Sequence, residues 1–404
     1  MRIAVIGGGA SGMTSAYLLD RMGHHVTVFE RQSSLGGHIK TLNKNVTANH
    51  AACDRILENG VLEFPTAFQN FINLMQALGV ELEPVNIGSA LFLKDGSHYL
   101  SATAIQKNFM GFQRWIEYLR LDTLYARSAG FWLQIKFSKM QDFYDQSMAQ
   151  HLKQNCIRNT WLKLLTMYSY STPLAMIDNF PAELAIPTLR DYVFVDWVRV
   201  KHGVYSYIEK IVERFQGEIC LNAEITGISR NFDGVVLKRS PDDIRTFDKV
   251  VFATPPDQVM KLLEDPTDSE IKRFSAWQPN FVQTVLHRDR SMYDRYGIQQ
   301  ASEFDFFQTS NKWGYNAYLN QLCGISASTQ YSLAFQLEEL INPEKIIHVQ
   351  AHHTPLYNVE SFHYRDEIVD TNGENHTYHA GAYLGDGLHE GAITSALRVT
   401  QLIG

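Results

Sequence analysis

The chain is poor in cysteine. It has four in 404 residues, Cys53, Cys156, Cys220 and Cys323. No two of them form a C-x-x-C pair, which excludes a zinc ribbon or a redox dithiol and fits a reduced, cytoplasmic protein. Surplus positive charge is also lacking. The net charge is −7, so the electrostatic footprint of a nucleic-acid binder is absent. No run of about 18 apolar residues occurs, and no segment is expected to span a membrane. Peripheral membrane contact is left open. The first strand begins at once with the wrong flanks for a signal peptide, and none is expected. There is no internal repeat, low-complexity linker, H-E-x-x-H motif or Ser-His-Asp order. The adjacent His352-His353 pair suits a strand better than a metal site, so no metal is expected.

What remains is an ordinary globular balance, with 45% hydrophobic and 20% charged residues. The length accommodates two domains. Aromatics reach 12%, with 23 Phe and 19 Tyr, which points to an apolar lining or a large aromatic core.

The opening "MRIAVIGGGASGMTSAYLLDRMGHHVTVFE" carries the first chemistry. Arg2 to Ile6 read as a buried parallel strand. Gly7, Gly9 and Gly12 follow at G-x-G-x-x-G spacing, and a helix is expected from about Ser11 to Met22. Gly7 permits the tight turn, Gly9 lets backbone approach a pyrophosphate, and Gly12 allows close helix–strand packing. Ala10 and Ser11 open the helix, whose free N–H groups favour phosphate. A second strand, His25 to Phe29, ends at Glu30, 18 residues past Gly12. A carboxylate there accepts ribose hydroxyls and repels a 2′-phosphate, so a dinucleotide other than NADP is expected.

Arg31, Gly36 and Gly37 then form an R-x4-G-G pattern, with His38 after it. This segment resembles the flavin amine oxidase, protoporphyrinogen oxidase and phytoene desaturase superfamily. The resemblance implies an α/β fold: a Rossmann-like FAD-binding domain of the glutathione-reductase-2 type with an inserted α+β substrate domain. It implies non-covalent FAD and assigns roles along the chain. His38 stands where many relatives carry Arg near the diphosphate. Gly60 and Val61 lie where the chain crosses the flavin face. The strand "AEITGIS" sets a backbone group of Ile225 against the adenine, and Thr254 follows a buried strand in "FATPP". At the C-terminus, Gly381 and Tyr383 match a strand end near the ribityl chain. His389, Glu390, Gly391 and Ala392 match a helix start that faces the flavin pyrimidine ring.

The expected FAD-binding domain is residues 1–83 with about 203–275 and 351–404. The expected substrate domain is about 84–202 and 276–350. Within it, residues 84–100 read as strands around a Lys94–Ser97 turn. Residues 101–170 read as a helical, aromatic block. Strands are expected in "EICLNAEITGISR" and "GVVLKRS", with a turn near Asp233-Gly234.

The segments "GGHIKT", "YSYSTPLAMIDNFPA", "FATPPDQVMKLLEDPTDSE", "WGYNAYLNQL" and "GAYLGDGLHEGAITSAL" resemble one group more closely. It is the group of predicted NAD/FAD-binding proteins often encoded beside cyclopropane-fatty-acid synthases. Glu58-Asn59-Gly60-Val61 departs from its Asp-x-Gly-Phe run, and His202-Gly203 from its paired glycines. "WQPNFVQTVLHRD" lacks the lysine that many amine oxidases place near flavin N5. The resemblance implies a FAD-dependent oxidoreductase acting by hydride transfer on an apolar substrate, a fatty acyl or lipid chain among the candidates. Two alternatives stand beside it. One is an oxidase, desaturase or cyclising enzyme for an aromatic or polyene substrate; the other is a non-catalytic flavoprotein. Tyr383, His389 and Tyr318 are the catalytic candidates, with Tyr315 and Asn316 as neighbours lining the pocket. The oligomeric state is not legible.

Overall fold

The computed structural model describes residues 1–153 and 156–404. Its centre is a parallel sheet. Strand Arg2–Ile6 pairs on one side with His25–Phe29 and on the other with Lys249–Phe252. Glu218–Cys220 and Thr377–His379 form the two edges. Ile3 to Ile6 are all buried, as a central parallel strand covered on both faces requires.

Helix Ala10–Arg21 leaves this sheet at the glycine turn. A Cβ on Gly12 would lie 1.9 Å from the Gly7 carbonyl oxygen, so only glycine lets the helix sit this close. The last helix, His389–Ile403, packs beside it. Gln69–Leu78 and Tyr205–Arg214 complete the layer. Val5, Met13, Ala16, Val28, Ile208 and Ile393 share one core.

The strand-forming stretch from Glu218 to Arg230 holds two separate strands. Glu218–Cys220 edges the parallel sheet, whereas Gly227–Asn231 joins a separate antiparallel sheet with Gly234–Ser240 and Asp243–Phe247. Two backbone bonds explain the break. Asn222 N–H donates to Gln32 C=O and Ala223 N–H to Glu30 C=O. Asn222 adopts a left-handed conformation, φ 51°. The chain therefore turns across the end of the parallel sheet instead of continuing along it.

A seven-stranded mixed sheet builds the other half. Gln278–His287 pairs antiparallel with both Ile346–Leu356 and Ser332–Phe335. Trp313–Tyr318, Phe304–Gln308, Ser89–Phe92 and His98–Tyr99 follow in order. Ile346–Leu356 belongs to this sheet throughout, across the boundary expected near residue 351. One face of the sheet looks toward the nucleotide half and the helical block, with Thr284, Phe335 and Tyr315 in cross-strand register. The block contains helices Gly111–Phe137, Ile157–Tyr170 and Ala182–Tyr192. In the longest helix, Leu121, Leu124, Phe131 and Ile135 form the buried stripe.

Arg230 bolts the antiparallel sheet to the parallel one. Its buried guanidinium holds Glu270 at 2.5 and 2.8 Å and Thr377 Oγ1 at 3.1 Å. Removing one partner of a buried ion pair costs about 3 kcal/mol, because the remaining charge stays desolvated. Glu270→Ala is expected to destabilise the chain by about that amount in equilibrium chemical denaturation. A change within about 0.5 kcal/mol, the usual range for an inconsequential surface substitution, would contradict this role.

Candidate functional site

The glycine turn and the R-x4-G-G loop meet in space. Gly9 and Gly36 form a bridge, and Gly36 N–H donates to Gly8 C=O at 2.8 Å. Gly7 and Gly12 are fixed by protein packing, whereas a Cβ on Gly9 would meet nothing nearer than Gly37 Cα at 3.7 Å. Protein contacts alone therefore do not require glycine at position 9. The space beside Gly9 leaves room for a ligand to lie against the backbone, at the start of a helix whose first N–H groups have no partner within the helix. Close by, the buried Thr254 hydroxyl has no protein partner. These features fit the diphosphate of a dinucleotide.

Glu30 is buried, and its carboxylate accepts Gly8 N–H at 2.7 Å and Gln32 N–H at 2.8 Å. It thus orders the glycine turn as well as ending the strand. Arg31 is exposed at the surface, and Ile225 is half-buried against the core. His38 Nε2 lies 2.6 Å from His353 C=O and donates to it, which ties the loop to the seven-stranded sheet. Burial lowers the His38 pKa, so the ring is held neutral and does not replace an arginine's charge.

His38 is exposed, and His389 and Glu63 are half-buried. Segment 58–60 runs beside the loop that follows Gly37. Asn59 N–H donates to Lys40 C=O, and a Cβ on Gly60 would lie 2.1 Å from the His38 carbonyl oxygen. Val61 is half-buried beside it.

Where this segment meets the sheet, buried Thr284 donates to Asn59 Oδ1 at 2.7 Å. His352 Nε2 lies 2.8 Å from the same hydroxyl. With the threonine proton committed to Asn59, His352 must donate through Nε2–H. Burial pushes its pKa down to about 3, so the imidazole is neutral and acts as a fixed donor. His353 points the other way along the strand, to Asp257 at 3.0 Å.

The C-terminal loop is held from outside. Tyr170 donates to Asp386 C=O and Tyr192 to the Asp386 carboxylate, at 2.9 and 3.0 Å. Asp386 Oδ1 accepts Gly391 N–H at 2.7 Å and Leu388 N–H at 2.9 Å. One of the first N–H groups of the last helix is therefore already capped from within the chain. The Glu390 carboxylate caps another helix, accepting Asn70 and Phe71 N–H, each at 2.9 Å. His389 Nε2 meets the Tyr207 hydroxyl at 2.8 Å, and its ring packs edge-on against Phe64 and Phe71. Burial pushes its pKa down to about 3. Ala392 N–H donates to Leu388 C=O within the helix start. Gly381 N–H donates to Ser395 Oγ, and Tyr383 packs edge-on to Trp277 with its hydroxyl buried and unpartnered.

The structure does not bring every candidate together. Tyr318 pairs with Ser332 and so falls on the opposite sheet face from Thr284 and Tyr315. Asn316 shares that outer face, bonded to His287 at 2.9 Å and to the Tyr293 hydroxyl at 3.1 Å. Tyr315 does face inward. It stacks on Phe335 and meets Tyr168 edge-on, and Tyr168 stacks on Phe304 at 4.1 Å.

Glu63 stands among these rings. Tyr168 donates to its Oε1 at 2.5 Å, while Oε2 has no partner. Burial pushes this carboxyl up to about 7. Nearby, Glu58 accepts Thr41 Oγ1–H and Val204 N–H, yet burial raises it to about 8. Glu58 borders a cavity of about 570 Å³ that also meets Leu62, Val204 and Cys323. Glu63 carries no motif in the sequence, and nothing in the runs that contain Asn59, Thr284 and His352 joins them to one another. Their place becomes visible only when segment 58–63 is laid against the sheet.

The family described as flavin containing amine oxidoreductase matches residues 10–285. The 4,4'-diapolycopen-4-al dehydrogenase of Metabacillus indicus is 25% identical over 225 residues, 51% of this chain and 44% of that protein. The L-amino-acid oxidase of Siganus canaliculatus is 30% identical over 82 residues, 20% of this chain and 14% of that protein. The matches thus span less than half the length of these curated relatives. Among solved structures, a CLA-producing fatty acid isomerase from P. acnes superposes with a TM-score of 0.73 at 17% identity, covering 100% of this chain and 99% of that one. Putrescine oxidase bound to putrescine superposes with a TM-score of 0.68 at 15% identity, covering 100% and 99%. Both likenesses are of fold.

The glycine contacts make a sharp test. Gly9→Ala is expected to leave the melting temperature of the cofactor-free chain unchanged while weakening dinucleotide binding at least about tenfold, as a lost close backbone approach implies. Gly12→Ala is expected to lower both. Equal loss of stability in the two variants, measured by thermal melting and FAD titration, would contradict the cradle.

Proposed function

The chain belongs to the flavin containing amine oxidoreductase family, and from that premise we propose that it is a FAD-dependent oxidoreductase that acts on an apolar chain, a fatty acyl or related lipid chain. The observation that carries this reading is the buried aromatic cluster of Phe335, Tyr315, Tyr168 and Phe304 with the Glu63 carboxyl set beside it. A site bordered by such a cluster is suited to an apolar chain and to excluding water. A fatty acid and 4,4'-diapolycopen-4-al in the names of two relatives support it. So does segment 277–289, which contains no lysine and turns Thr284 toward Asn59.

FAD, when bound, supplies two-electron hydride chemistry at its flavin ring. The residues suited to hold it non-covalently are the Gly7–Gly12 turn with Ala10 and Ser11, Gly36, Gly37 and Thr254 at the diphosphate, and Glu30 at the ribose. Gly60, Val61, Gly381, Tyr383 and the helix start from His389 to Ala392 are proposed for the flavin end. The protein's own work is orientation and proton handling. Thr284, fixed between Asn59 and His352, presents a rigid polar edge at the domain junction. Tyr383 keeps its phenolic proton, because burial raises its pKa, and offers a hydrogen-bond donor. Glu63, poised near 7, exists in both protonation states at neutral pH. Its free Oε2 takes or returns a substrate proton while Oε1 stays bonded to Tyr168.

A second reading, a desaturase or oxidase of a polyene, is favoured by the 4,4'-diapolycopen-4-al dehydrogenase match.

The test is anaerobic flavin reduction with fatty acids, polyenes and amines, followed in the visible spectrum. Apolar chains are expected to bleach the flavin, at a rate that rises with pH through about 7. Glu63→Gln is expected to react about a hundredfold more slowly and to lose that inflection. Bleaching by amines alone, or an unchanged pH profile in Glu63→Gln, would overturn the proposal.

A further inference from the structure

Helix Gly111–Phe137 buries one stripe and exposes another of the same apolar character. Phe112 is 80% exposed, Trp115 67%, Leu119 52%, Leu133 62% and Phe137 77%. At 3.6 residues per turn these positions fall within one arc of roughly 100°. Ala126 and Gly130 lie in the same arc and are exposed between the two aromatic ends. The stripe is apolar at both ends of the 27-residue helix, with exposed Asp122 and Thr123 at its margins near the middle. Scattered exposed apolar residues need no explanation, but large apolar side chains aligned on one helix face do. The neighbouring Met110 and Phe194 are also strongly exposed.

The charges around the stripe select its occupant. Lys107, Arg114, Arg120, Arg127, Lys136 and Lys139 lie in or beside the helix, against only Glu117 and Asp122. Glu117 is buried and already paired with Arg120 at 2.8 Å. A net positive strip thus sits on a protein whose total charge is −7. A second copy of the chain would bring the same positive strip against it, which opposes association. An anionic lipid surface matches both features: basic side chains meet the headgroups, and Trp and Phe rings enter the boundary with the acyl chains. Among the described residues no helix is long and apolar enough to cross a membrane, so the contact is one of lying on the surface.

We propose that the outer face of helix Gly111–Phe137 docks this protein on bilayers that contain anionic phospholipid.

The test is flotation of the full chain with vesicles of phosphatidylcholine, with or without phosphatidylglycerol, alongside sedimentation of the chain alone. The wild type is expected to float with the anionic vesicles, to bind the zwitterionic ones more weakly and to sediment as a monomer. The combined Phe112→Ser, Trp115→Ser and Leu119→Ser variant is expected to bind about tenfold more weakly, since binding scales with apolar area buried. Arg127→Glu with Lys136→Glu is expected to lose only the preference for anionic vesicles. These residues are exposed, so circular dichroism should show both variants folded. Absence of flotation would overturn the proposal. So would a wild-type dimer that the triple serine variant converts to monomer, since a second copy would then cover the face.

Discussion

The distance between the first strand and the first helix governs much of this molecule. With a Cβ on Gly12 only 1.9 Å from the Gly7 carbonyl oxygen, the helix rests directly on the turn. Its N-terminus is thereby aimed over the end of the parallel sheet. Gly9 then faces open space at the start of the first helix, where the helix dipole favours an anion. Glu30 holds the same turn from the second strand through Gly8 N–H. The R-x4-G-G loop closes over it through the Gly9–Gly36 bridge. Sequence-distant elements reach the site only because this corner is rigid: the last helix packs on the first, and segment 58–60 follows the loop from His38 to Lys40.

Burial sets the protonation of these side chains. It disfavours charged forms unless they are paired. His352 and His389 are held neutral, and the carboxyls of Glu58 and Glu63 are raised. Imidazoles therefore serve as fixed hydrogen-bonding groups, and the groups near their titration point at neutral pH are carboxyls. That inverts the ordinary expectation that histidine moves protons near neutrality.

The nucleotide half was largely legible in the sequence, because its constraints are local. A buried strand, a glycine turn, a helix and an acidic strand end occupy thirty consecutive residues, and each has a backbone reason. The break between the two strands near Asn222 was less legible, since two long-range backbone bonds decide it. Which face of their strand Tyr318 and Asn316 occupy is not legible in the sequence, because strand parity needs the register with Ser332 and Phe335. Glu390 reads as a cofactor neighbour by motif, yet its carboxylate caps the helix at Asn70. Glu63 had no local pattern at all, and nothing local joined it to Thr284 and His352. They acquire meaning only through the contact between segment 58–63 and a sheet strand more than 200 residues away.

The central claim is that the N-terminal glycine corner and the C-terminal helix start form one FAD site. The most direct measurement is release of bound cofactor from the purified, cofactor-loaded chain by acid, with identification by chromatography and absorbance. The account predicts FAD released in free form, at about one per chain, as a single composite site requires. Release of FMN or NAD instead, or a chain that stays colourless after incubation with FAD, would contradict it.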